Sequence, residues 1–146
     1  MALPIVMVNY AAIFVASIVA LIISFIWFGP IFGKTWMKIK GITPKQAAAG
    51  KKDMPKNMIA YFIGLLVMNF VLAHFLGYVG ATNISEALMT GALLWLGFIA
   101  TVLFAGMLWE KMPSKLFAIN LFHYLVVLLV SSGIIVTMST RMIIVP

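Results

Sequence analysis

The chain has 146 residues, 64% hydrophobic and only 9% charged, with a formal net charge of +7 and no cysteine. A soluble domain carries about 25% charged residues, so this composition excludes an ordinary water-soluble globule and points to lipid as the solvent. The missing cysteines exclude a disulfide framework, a thiolate nucleophile and a thiolate-held metal cluster.

Crossing the hydrocarbon core of a bilayer takes about 20 helical residues. Four apolar runs of 21–23 residues, without Asp, Glu, Lys or Arg, meet that length: residues 8–28, 58–80, 87–109 and 116–138. They predict an all-α membrane protein, a compact bundle of four transmembrane helices forming one domain over residues 1–146. No small-residue cleavage pattern closes the first run, so it is read as a retained span. After it, Gly29-Pro30 is expected to break the helix at headgroup depth, because proline removes a donor and crowds the preceding turn.

Residues 29–57 form the one long loop. Its first part mixes aromatics with lysines and predicts a short interfacial helix, with Trp36 at headgroup depth and Lys34, Lys38 and Lys40 reaching anionic lipid headgroups. Thr43, Pro44 and Gln46 then read as cap, first residue and third residue of a further helical turn ending at Gly50. Residues 51–56 are expected to be flexible up to the second span.

Nine of the ten basic residues lie in residues 29–57 or between the third and fourth spans, leaving Arg141 with Glu86 on the other side. Loops rich in Lys and Arg stay in the cytoplasm. The prediction is an N-out/C-out protein of the cell (inner, cytoplasmic) membrane with a basic cytoplasmic loop. The positive charge is read as a topology signal and an attraction to anionic lipid, so membrane lipids are the expected partners and nucleic acid is not.

Within the runs, His74 and His123 are the groups that titrate near neutral pH. At 1.5 Å per residue they lie about 24 Å and about 10 Å from the lysine-rich end. That separation is too great for one metal ion, and neither metal nor cofactor is expected. Ser24, Tyr61, Asn120 and His123 share the cytoplasmic third. Asn120 and His123, three apart, share a helix face, and Glu110 stands with the lysine loop at the mouth of the pocket these residues would form. Ser17 and Asn69 fall near the midplane, and His74, Thr90, Ser131 and Ser132 in the outer third. These polar groups are either hydrogen-bonding glue between helices or the lining of a cytoplasm-facing ligand pocket.

Small residues at four-residue spacing mark packing faces, since in lipid helices associate by close contact. Ala12, Ala16, Ala20 and Ser24 form one such stripe, and Gly97, Thr101 and Ala105 another. They are expected to pack, against each other or between protomers of a homo-oligomer or larger membrane complex. Trp27, Trp36 and Trp109 fall at one interface and Tyr10 and Tyr78 near the other, as an aromatic belt requires. Trp95 lies inside the third span, where its indole N–H needs an acceptor on a neighbouring helix.

The run Trp27-Phe28-Gly29-Pro30-Ile31-Phe32-Gly33-Lys34-Thr35-Trp36-Met37 resembles the end of the first helix in the bacterial membrane family catalogued as domain of unknown function 1761. Leu94-Trp95-Leu96-Gly97-Phe98 and Ile119-Asn120-Leu121-Phe122-His123-Tyr124-Leu125 resemble that family's third and fourth helices. The resemblance implies a four-helix integral membrane protein and brings no activity, substrate or catalytic residue with it.

No nucleophile–base pair or ligand cluster reaches pattern strength, so no enzyme is expected. Ion-coupled transport normally uses an intramembrane charge, and the runs hold none. The leading reading is a non-catalytic bundle that binds lipid or a partner, or serves as an accessory subunit. The alternative is a small transporter or channel for an uncharged or hydrophobic solute, acting as an oligomer. The topology is checked in this cysteine-free chain with Gln46→Cys and Ser139→Cys. A membrane-impermeant thiol reagent applied to intact cells should label Ser139→Cys only, and labelling of Gln46→Cys would overturn the arrangement.

Overall fold

The computed structural model describes residues 6–140, and every regular element among them is helical. Arg141, assigned above to the outer side, lies outside the described residues. Helix α1 (Tyr10–Ile26) continues into a π turn (Trp27–Ile31), followed by α2 (Gly33–Lys40), α3 (Pro44–Gly50) and α4 (Met54–Tyr78). Helix α5 (Ile84–Leu94) leads through a second π turn (Trp95–Ala100) into α6 (Thr101–Trp109), and α7 (Ser114–Thr140) completes the bundle. Four helical stretches are long and apolar enough to cross a membrane: Tyr10–Ile31, Met54–Tyr78, Ile84–Trp109 and Ser114–Ser139.

Gly29-Pro30 does not break the first helix. Pro30 sits inside the π turn, where the Phe32 amide reaches back five residues to the Trp27 carbonyl at 2.9 Å. The wider winding absorbs the donor that proline lacks. Residues 51–56 are not a loose tether either. The amides of Lys51, Lys52 and Asp53 bond the carbonyls of Ala48, Ala49 and Gly50 at 3.2–3.4 Å, and α4 is already under way at Met54. Thr43 and Gln46 form the expected reciprocal capping box at the start of α3.

Helix α7 is the centre of the bundle. Helix α1 packs against α4 and α7, while α5 and α6 lie along α7. The stripe Ala12, Ala16, Ala20 and Ser24 is buried along its whole length within the single chain. At one end the Asn9 side chain caps α1, its Oδ1 accepting from the Ala12 amide at 3.1 Å, and its amide donates to the Met138 carbonyl at 3.3 Å, which ties α1 to the far end of α7.

The second stripe does not pack against the first within the chain. Gly97, Thr101 and Ala105 are exposed, and the close contact of this span uses Ala87 and Gly91 instead. A Cβ added at Gly91 would meet Ser132 Oγ at 2.5 Å, so only glycine admits α7 this closely. In a regular α-helix continuing from Gly91, Phe98, Val102 and Ala105 would follow on the same face. The extra residue in the π turn hands those places to Ile99, Leu103 and Gly106, which are half-buried, and turns the former set outward. The whole span is peripheral: 6% of its most apolar window is buried, against 28–39% for the other three.

Replacing Ala16 with Leu should therefore overpack the α1 contact and destabilise the bundle by about 1–3 kcal/mol. Ala105→Leu, on the outward face, should be close to neutral. Thermal unfolding in detergent checks both, and equal melting of Ala16→Leu and the unmodified chain would contradict the packing.

Candidate functional site

The densest polar cluster in the core forms where α1, α4 and α7 meet at the lysine-rich end. Ser24 Oγ lies 2.8 Å from the Tyr61 hydroxyl and 2.9 Å from His123 Nε2. It also lies 2.8 Å from the carbonyl of Ala20, one turn back on its own helix. A serine hydroxyl has one proton and two lone pairs. The carbonyl can only accept, so Ser24 donates to it and receives hydrogen bonds from the Tyr61 hydroxyl and from Nε2–H of His123. The imidazole is thereby fixed as the Nε2–H tautomer. Its Nδ1 lone pair is buried with no partner among the described residues.

Rings from the first π turn and α7 enclose the imidazole, with centroids of Phe28, Tyr124 and Trp27 at 4.7, 5.0 and 5.9 Å. Trp27 opens the π turn, and its indole N–H donates to the Ile119 carbonyl on α7 at 3.1 Å. Trp95 opens the second π turn and does the same to the Leu121 carbonyl at 2.9 Å. Each π turn thus begins with an indole fastened to α7, two residues apart and close to His123. Trp27 consequently serves as an inward clamp as well as a marker of helix depth.

The first sequence signature now has a physical content. Phe28 covers His123, Phe32 lies 5.1 Å from the Trp27 ring, and Gly33 must be glycine because a Cβ would stand 2.6 Å from the Phe28 carbonyl oxygen.

Other expected pocket members stay apart. Glu110 is exposed beyond α6, and Asn120 is half-buried with no hydrogen bond to the cluster. Sharing a helix face with His123 did not bring Asn120 into the same contact, because His123 points to the α1 seam. At the midplane, Asn69 donates to Ser17 Oγ at 3.0 Å and is fully buried. His74 turns away from it, bonding the carbonyl of Phe70 on its own helix at 2.8 Å. Lys34, Lys38 and Lys40 are exposed on α2, and Trp36 is half-buried. Among the described residues no three of His, Cys, Asp and Glu gather as a metal site would need.

Beside the cluster, between α1 and α4, runs a groove of about 360 Å³. Leu21, Phe25, Phe28, Met54 and Met58 wall it, Gly29 opens it, and Ser24 and Tyr61 are its polar residues. Ser24 has spent its proton and both lone pairs, so the groove is offered only the remaining acceptor capacity of the Tyr61 oxygen. Sequence reasoning missed this groove, whose signal was the absence of a side chain at Gly29 opposite the methionines that open α4.

Ser24→Ala should leave His123 with both ring nitrogens unpartnered in the core and cost about 1–3 kcal/mol. Tyr61→Phe should cost less, because the half-exposed phenol is lost without orphaning a buried donor. Detergent unfolding midpoints of the two variants check this order.

Comparison with curated proteins and with solved structures finds no match. The family model described as protein of unknown function (DUF1761) matches residues 11–136. That match covers the second and third candidate spans whole and most of the first and fourth, with both indole clamps and the Ser24–Tyr61–His123 cluster, and the chain belongs to the DUF1761 family.

Proposed function

We propose that the protein is a non-catalytic membrane bundle that holds an amphipathic lipid in the groove between α1 and α4. The observation that carries this reading is the groove itself, apolar along its walls and polar only at Ser24 and Tyr61. An acyl chain suits the walls, and a glycerol hydroxyl could donate to the Tyr61 oxygen at the depth where a lipid turns polar. By the positive-inside rule, this lysine-rich end is taken in the proposal to face the cytoplasm.

The proton arrangement supports a binding role over a catalytic one. Nucleophilic serine needs a base that takes its proton, whereas here the imidazole donates to Ser24 and the serine proton is committed to Ala20. No carboxylate among the described groups orients the ring. A transport pathway is less favoured for a different reason. Ala20, Leu65 and Val127 form a buried apolar cluster, each four residues along its helix from Ser24, Tyr61 and His123. It separates that polar level from Ser17 and Asn69 beyond.

Gly29→Leu tests the reading, because a Cβ there meets nothing within 4 Å and the longer side chain would occupy the groove. A photoactivatable phospholipid should label the wild type around Met54 and Met58, and Gly29→Leu should lose most of that labelling while melting normally. Unchanged labelling would remove the groove as a binding site.

A further inference from the structure

The elbow between α2 and α3 encloses a cleft of about 500 Å³ that differs in kind from the groove between α1 and α4. Lys34, Lys38 and Lys51 stand around it, and Met37, Ile42 and Ala47 are among the apolar residues of its floor. Lys34 and Lys38 are four apart on one face of α2, and Lys51 arrives from the turn after α3. The only acid in residues 29–57 is Asp53, and it is not part of the lining. Three ammonium groups thus share a space with no carboxylate among them, a concentration of like charge that an anion relieves.

The cleft is built by ordered backbone. Helix α2 ends on Gly41 at φ 66°, in the left-handed region. There the Ile42 amide reaches back to the Met37 carbonyl at 2.9 Å, the six-to-one bond of a Schellman cap. The next residue, Thr43, begins the capping box of α3. Two caps in succession fix the angle between α2 and α3, and so the placing of Lys34 and Lys38 opposite Lys51.

We infer that this elbow is a binding site for the headgroup of an acidic phospholipid. A free phosphate would gain from the lysines alone. A phospholipid also covers the floor of Met37, Ile42 and Ala47 with its glyceride portion, so both halves of the cleft find a complement. The lining has no uncharged side-chain donor to read headgroup shape, so the site selects lipids by negative charge. Lys40, expected from sequence to join such a site, lies outside the lining, and Lys51 takes its place. This inference is independent of the groove between α1 and α4.

The experiment compares two triple variants of the full chain in nanodiscs of phosphatidylcholine with a minor fraction of phosphatidylglycerol. Lys34, Lys38 and Lys51 are changed to Gln in one, and Lys40, Lys45 and Lys52 in the other, so net charge falls equally in both. Native mass spectrometry reads the phosphatidylglycerol retained on the released protein. The first variant should lose its preference over phosphatidylcholine by roughly tenfold or more, as expected for removing three cations at a membrane surface. The second should stay within about twofold of the wild type. Equal losses in both would overturn the site and leave only a diffuse basic surface. Displacement of the bound phosphatidylglycerol by millimolar inorganic phosphate would overturn the lipid assignment. Retention of the groove-bound lipid is read separately through Gly29→Leu, so failure of one site is distinguishable from failure of the other.

Discussion

The close approach of α1 to α4 and α7 governs the rest of the molecule, because a hydrocarbon solvent supplies neither hydrophobic drive nor hydrogen bonds. Helices in such a medium gain from touching only if their backbones come near, and Ala12, Ala16 and Ala20, all but inaccessible to solvent, permit that. Once α1 lies flush in the seam, the hydroxyls of Ser17 and Ser24 fall within reach of α4 and, for Ser24, of α7. Ser17 meets Asn69 and the Leu65 carbonyl, and Ser24 meets Tyr61 and His123. Small apolar residues bring the helices together, and small polar ones fix their register.

The π turns are the second device. Each inserts an extra residue into a membrane-length helix at a tryptophan, and each tryptophan donates its indole N–H to a carbonyl of α7. A buried indole N–H must find an acceptor, and a helix carbonyl has a spare lone pair beyond its own ladder bond. Fastening α7 at Ile119 and Leu121 from the starts of the two π turns fixes the stretch of helix that leads into His123. The same insertion rotates the remainder of the third span, so that α6 exposes the residues a regular helix would have buried.

The lysine-rich end contains two environments of opposite character. The groove at Tyr61 is apolar with a single usable acceptor, and it is framed by α1 and α4. The elbow between α2 and α3 is cationic over an apolar floor, framed by two consecutive helix caps. Ser24, though flanked by an imidazole and a phenol, is saturated by its neighbours. Such a group holds structure, because its proton and lone pairs are already assigned.

Span number and approximate limits were legible in the sequence, since the length and charge-free character of a membrane helix are local properties of the chain. The capping box at Thr43 and the buried stripe of α1 were legible for the same reason: each depends on spacing along one helix. The need of Trp95 for an acceptor could be read from its depth, but the acceptor could not. What only the tertiary structure decided were relations between helices and departures from the 3.6-residue repeat. A π turn is invisible to periodicity until it has occurred, and that is why Phe98, Val102 and Ala105, which a regular helix would set in line with Gly91, face outward while Ile99, Leu103 and Gly106 turn in. Likewise Asn120 and His123 share a face by arithmetic. Which of the two enters the seam with Ser24 depended on how α7 sits against α1, a rotation set by the indole clamps and by alanines far away in the chain.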